Sequence, residues 1–157
     1  MTLTSWLWLA TGCYAAHILE EYQLNWRDWA RHVIGLPVEW GDFYVTNAVV
    51  VVLGIVAPNL AVASPALALA FPALMLINAT LFHVLPVILT KGRFSPGLFT
   101  AIILFYPIGI ACFARAAAQG LLDVGTVIVS FGLGALLMTY PIVMIRIRGL
   151  PYFRQDR

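Results

Sequence analysis

A histidine and two carboxylates, His17, Glu20 and Glu21, stand within five residues of one another at the end of an apolar run. On a helix, residues three and four apart share a face, so this spacing lets the imidazole and at least one carboxylate converge. Ionisable groups inside a membrane helix are costly, and they are usually functional or mutually paired. Burial disfavours the charged form of a carboxyl, which makes it a proton donor at neutral pH. A neighbouring imidazole can take a proton or hold the carboxyl in place. The same side chains are metal ligands of the kind that zinc or iron accepts. A second imidazole, His83, lies far along the chain in N-A-T-L-F-H. The candidate catalytic residues are therefore His17, Glu20, Glu21 and His83, and any metal would use these same four.

The elements that must position them are apolar helices. The 157 residues are 62% hydrophobic and 10% charged, with mean hydropathy +0.91. A soluble domain carries about 25% charged residues, so the composition implies an all-α integral membrane protein. One domain is expected over residues 1–157. A spanning helix needs ~20 apolar residues, and five runs qualify: Thr4–Tyr22, Phe43–Leu60, Pro65–Leu89, Gly97–Gln119 and Leu122–Ile145. Between the first two, Asn25–Val33 alternates Trp with Arg, Asp and His, which reads as a short interfacial helix. With five spans, Arg27, Arg31, Lys91, Arg93, Arg146, Arg148, Arg154 and Arg157 share one side, and Arg115 alone takes the other. That bias places the amino terminus outside and the carboxyl terminus in the cytoplasm, as in a bacterial inner membrane. No basic residue precedes the first run, so it lacks the n-region of a signal peptide. Cys13 and Cys112 form neither a CxxC motif nor a disulfide framework. No basic patch interleaved with aromatics suggests nucleic-acid binding. No internal repeat is evident.

This topology sets depths. A helix rises ~1.5 Å per residue, so His17 and His83 both lie roughly 8–9 Å inside the cytoplasmic end of their spans. Asn47, Thr100 and Tyr140 occupy the same half of spans two, four and five, while the outer half is poor in polar groups. Asn47, Asn78, Phe82, Thr100 and Tyr140 are the expected substrate contacts. Asn78 and His83 are about 140° apart on an α-helical wheel and would flank one broad face. Pro86, Pro107 and Pro141 loosen spans three to five, and freed carbonyls are tolerated where they find partners or line a cavity. On span one, Gly12, Ala16, Glu20, Cys13 and His17 fall in one arc of small and polar residues, taken as the packed face. Leu7, Trp8, Thr11, Tyr14, Ile18 and Leu19 then face lipid. Glu20 becomes the better-buried acid, with His17 its partner, and Glu21 leans toward Arg27 or Arg31.

The spacing H-x-x-E-E, read with Asn78 and His83 in N-A-T-L-F-H and Pro96, Gly97 and Thr100 in S-P-G-L-F-T, resembles the HXXEE family of small integral membrane proteins. The resemblance implies a multi-span fold and a shared site, without naming a chemistry. From the residues, the favoured expectation is acid–base catalysis on a lipid or isoprenoid-like substrate: isomerisation, cyclisation or epoxide opening. No cofactor is required for that. One alternative is a single zinc ion used for lipid hydrolysis. Another is a non-enzymatic proton-coupled transporter subunit or membrane assembly factor, since buried Glu and His also relay protons. Membrane lipids are expected partners, and a homo-oligomer is compatible with the chain.

Overall fold

Pro65 opens the helix at the centre of the molecule. Proline suits a first helical position because its missing N–H would have no partner there. In the computed structural model, which describes residues 1–153, α4 (Pro65–Asn78) is buried without interruption from Ala68 to Met75. A helix apolar all round is one enclosed by neighbours. Around it stand α1 (Leu3–Gln23), α3 (Trp40–Leu60), α7 (Tyr106–Ala118) and α8 (Val124–Arg148). The closest approach is that of α8, where a Cβ on Gly134 would come 2.9 Å from the Leu74 backbone nitrogen. Glycine is required there because two helix backbones touch.

Helices α4 and α7 are both interrupted. α4 runs through a π turn at Ala79–Val84 into α5 (Leu85–Leu89), and α6 (Leu98–Thr100) runs through a second at Ala101–Phe105 into α7. Pro86 and Pro107 stand at the second helical position after each turn. π turns shift the hydrogen-bond register by one residue and gather at functional sites. Here they lie side by side.

Four helices, Trp40–Leu60, Pro65–Leu89, Leu98–Ala118 and Val124–Arg148, are each long and apolar enough to cross a membrane. No strand occurs among the described residues. The expected boundaries of these four hold to within three residues. α1 has 21 residues but carries the ionisable triplet in its last two turns, and it is not among the four. The short α2 (Trp26–Val33) begins after Asn25, whose φ of 58° reverses the chain. Its Trp29 and Ala30 pack on Val38 and Ile145. Arg27 and Arg31 both pair with Glu39, and Arg148 Nη1 reaches both carboxylate oxygens of Asp42 at 2.7 and 2.6 Å. These basic residues therefore share one end of the bundle. At the other end Gln119 accepts a hydrogen bond from Leu3 N, near Arg115 in sequence. Arg154 and Arg157 lie outside the described residues.

The packed face of α1 differs from the expected one. It consists of Leu3, Leu7, Ala10, Tyr14, His17 and Glu21, spaced alternately four and three apart, with Cys13 at its edge. Leu7 and Tyr14, expected to face lipid, are 0% and 4% exposed, while Gly12 and Ala15 face outward. The true face is turned about 110° from the small-residue arc. Small residues mark a packed face only where backbones touch. α1 instead fills grooves with large side chains, and the glycine at its contact with α3 belongs to α3: Thr11 Oγ1 donates to the Gly54 carbonyl at 2.7 Å.

Candidate functional site

The rotation of α1 decides which carboxylate meets the histidines. His17 and His83 are both fully buried, and Glu21 is 5% exposed. Glu21 Oε1 lies 3.5 Å from His17 Nε2 and 3.5 Å from His83 Nε2. The imidazoles meet edge to face, with centroids 4.8 Å apart and planes at 85°. One ligand atom from each of the three residues lies within 4.8 Å of the other two. Among the described residues, neither Nε2 atom has a hydrogen-bond partner.

Glu20, expected to be the buried acid, does something else. It is only half-buried, and its carboxylate accepts from Gly97 N at 3.1 Å, Phe99 N at 3.1 Å, Thr100 N at 2.8 Å and Thr100 Oγ1 at 2.6 Å. These are the amide groups that a helix start leaves unpaired, and the positive end of the helix dipole favours an anion there. Glu20 thus caps α6 from another helix. Glu21 does not lean toward Arg27 or Arg31, since both pair with Glu39. The reason for both corrections is the 100° between successive helix residues: once Glu21 faces inward, Glu20 must face the neighbouring helix start.

The hydroxyl groups then fix the histidine tautomers. Thr100 has one proton and gives it to Glu20, so its oxygen accepts from His17 Nδ1 at 2.7 Å. With Nδ1 carrying the proton, His17 Nε2 presents a lone pair. Ser95 repeats the pattern: its hydroxyl donates to the Phe82 carbonyl at 3.3 Å and accepts from His83 Nδ1 at 3.1 Å. Pro86 is the origin of that acceptor, because it has no N–H for the carbonyl four residues back. Two imidazole lone pairs and one carboxylate oxygen therefore point into the same small space. Hydrogen bonds that orient the far nitrogen of a histidine are the usual support of a metal ligand.

Gly97 closes the other side. Its φ is +96°, and a Cβ there would lie 2.5 Å from His83 Cε1 and 2.7 Å from His17 Cε1. Only glycine combines that backbone with that proximity. Phe105 lies over His17 at 4.3 Å and stacks on Tyr14 at 5.6 Å. The Tyr14 hydroxyl donates to Asn47 Oδ1 at 3.0 Å, and Asn47 Nδ2 donates to the Phe43 carbonyl.

A narrow cavity of about 70 Å³ lies beside Glu21, at the end of the bundle that carries α2. Glu21, Tyr14, Asn47, Asn78 and Phe82 line it, with Thr46, Val50, Leu137 and Pro141 on the opposite wall. The side-chain oxygen of Asn78 is buried and has no partner among the described residues. Of the expected substrate contacts, Asn47, Asn78 and Phe82 are on this cavity, and Thr100 is behind His17. Tyr140 is not: it borders the groove between α3 and α8, one helix position off the face of Leu137 and Pro141. The π turn explains how one span delivers Asn78, Phe82 and His83 together. Bonds from i to i+5 bring residues five apart closer in angle than an α-helical wheel allows. Ser95, Gly97 and Tyr14 were missed as site residues. The proline-glycine pair after Ser95 was the available signal for the first two, and Tyr14 had none.

The family model described as a protein of unknown function with HXXEE motif matches residues 8–112. The chain belongs to the HXXEE family. The matched stretch holds His17, Glu20 and Glu21 of the motif together with His83, Ser95, Gly97 and Thr100. In this HXXEE protein the motif letters have separate tasks: the histidine and second glutamate face the centre, and the first glutamate braces α6. No curated protein and no solved structure matches the chain.

Proposed function

We propose that the chain is a membrane-embedded metalloenzyme that hydrolyses a lipid-like substrate, with one zinc ion held by His17, His83 and Glu21. The observation that carries this reading is the pair of buried Nε2 atoms facing one carboxylate oxygen with no partner of their own. A single proton there would satisfy one nitrogen and leave the other bare. A divalent cation satisfies both nitrogens and offsets the carboxylate. Ligand atoms bound at ~2.1 Å to a tetrahedral zinc stand about 3.4 Å apart, close to the 3.5 Å between Glu21 and each histidine. Two histidines and a glutamate leave a fourth position open in catalytic zinc sites, and the cavity beside Glu21 is where a water and a substrate carbonyl would meet it. The bound ion would supply a Lewis acid. Glu20 and Thr100 would hold His17 in its ligating tautomer, and Ser95 would do so for His83.

The same reading takes α1 as a fifth span, with the amino terminus outside and the basic end of the bundle in the cytoplasm. Its 21 residues suffice in length, and its polar triplet is enclosed by other helices rather than exposed to lipid. A second reading, acid–base catalysis of isomerisation, cyclisation or epoxide opening, draws on the equal distance of Glu21 Oε1 from the two imidazoles, which would let one carboxyl serve either.

Metal analysis of the purified protein separates them. About one zinc per chain is expected after loading and dialysis, with loss in His17→Ala and His83→Ala variants that keep their helical circular dichroism. A chain that retains no metal under these conditions overturns the zinc reading. Turnover that then survives a chelator would support acid–base chemistry, and no turnover of lipid substrates would leave the transporter-subunit or assembly-factor role.

A further inference from the structure

Helix α8 packs along α4 but touches α3 only sparsely. Between α3 and α8 runs an open seam, lined at one end by Asp42, Thr46, Pro141 and Arg148 and at the other by Leu60 and Leu67. Its middle is walled by Val49 and Leu53 of α3 and by Leu136 and Val143 of α8. From Asp42 to Leu60 the seam extends about 27 Å at the helical rise, close to the ~30 Å hydrocarbon thickness of a bilayer. The seam and the inner cavity share walls. Thr46, Val50 and Leu137 border both the cavity at Glu21 and the outer groove. In the inner cavity Asn78 offers a buried oxygen that has no partner among the described residues. The Asp42–Arg148 ion pair ties the two helices together at the mouth.

We infer that the α3–α8 seam is a lateral portal through which a linear-chain membrane amphiphile reaches the His17–His83–Glu21 centre. The inference rests on the proposed lipid hydrolase and names its substrate class. The occupant is a single unbranched acyl chain, because the inner cavity is narrow and the seam is long, largely apolar and open to the bilayer. Its polar group carries an O–H or N–H donor, because the unpaired group waiting beside the centre, Asn78 Oδ1, is an acceptor. The chain lies in the seam, and the polar group passes Thr46 to stand between Asn78 and Glu21.

Photolabelling tests this. The full-length protein in phosphatidylcholine vesicles is exposed to palmitic acid bearing a mid-chain diazirine, irradiated and mapped by mass spectrometry. Labels are expected on the stretches 46–53 and 136–143, with excess unlabelled palmitic acid removing them. Val49→Trp, which fills the seam without touching the centre, should reduce that labelling about tenfold. Ile55→Trp, on the far face of α3, should leave it unchanged. Labelling spread evenly over the outward faces of all helices, or unaffected by Val49→Trp, overturns the portal. Zinc content is measured on the same preparations. Zinc without seam labelling refutes the portal alone, and seam labelling without zinc refutes the metal reading alone.

Discussion

A carboxylate oxygen equidistant from two imidazole lone pairs makes Glu21 the residue on which the centre depends. Replacing it with Gln keeps the shape and removes the charge. Glu21→Gln is expected to weaken zinc binding by well over about a hundredfold, while Glu20→Gln, which acts through Thr100, costs about ten- to a hundredfold. Isothermal titration of the two variants with zinc would reveal the order, and the reverse order would show that Glu20 is the ligand. Glu20→Gln should also lose cap stability of about 0.5–2 kcal/mol, which a thermal unfolding comparison reads separately. Gly97→Ala tests the backbone on which the imidazoles rest. The left-handed conformation at φ +96° costs an alanine roughly 1–2 kcal/mol. The new methyl must also displace both rings. Zinc affinity should fall by at least about tenfold in a protein that still folds, a loss that Gly92→Ala, open on all sides at φ +101°, does not share.

At the scale of elements, the site is made by two π turns and one short helix. The π turns at Ala79–Val84 and Ala101–Phe105 lie against each other and turn His83 and Phe105 inward. Helix α2 closes the mouth of the cavity through Trp26, and it is tethered by Glu39. The guanidinium groups of Arg27 and Arg31 hold the Glu39 carboxyl below the ordinary carboxylate range, chiefly by hydrogen bonding. The folded value lies below the unfolded one, so the tether is complete above the unfolded range and disappears as pH falls through the folded value. Trp26 and Trp29 report on this movement. Below about pH 4, their fluorescence should shift toward that of a solvated indole, and Glu39→Gln should show the shifted spectrum already at neutral pH. An unchanged spectrum in that variant would mean that the apolar contacts of Trp29 and Ala30 hold α2 alone.

For the whole molecule, four helices are long and apolar enough to cross a membrane, and the proposed fifth crossing is α1. A reporter fused at residue 64 should lie on the opposite side of the membrane from one at the carboxyl terminus, and one at the amino terminus should lie with residue 64 only if α1 crosses. Length, hydropathy and turn residues were legible in the sequence because they are local. Helix termini follow from Pro65, Gly97, Gly120 and Asp123, each of which acts on its own backbone. The resemblance carried by His17, Glu20 and Glu21 was equally legible, as was the meeting of His17 with His83, since their depths follow from the helical rise. The rotation of each helix about its axis was not. It is set by which grooves of α3, α4 and α7 receive Leu7 and Tyr14, and no single helix contains that information. One such rotation exchanged the roles of Glu20 and Glu21, brought Tyr14 inward and joined Glu20 to a helix start 77 residues away. The π turns were hidden for a related reason: the wheel assumes a constant 100° per residue, and the register shift comes from packing two proline-bearing helices side by side. The sequence by itself determined the helices, their order and the chemical groups at one depth. Only the tertiary structure decided which carboxylate stands between the imidazoles, because burial depends on partners that the local pattern does not contain.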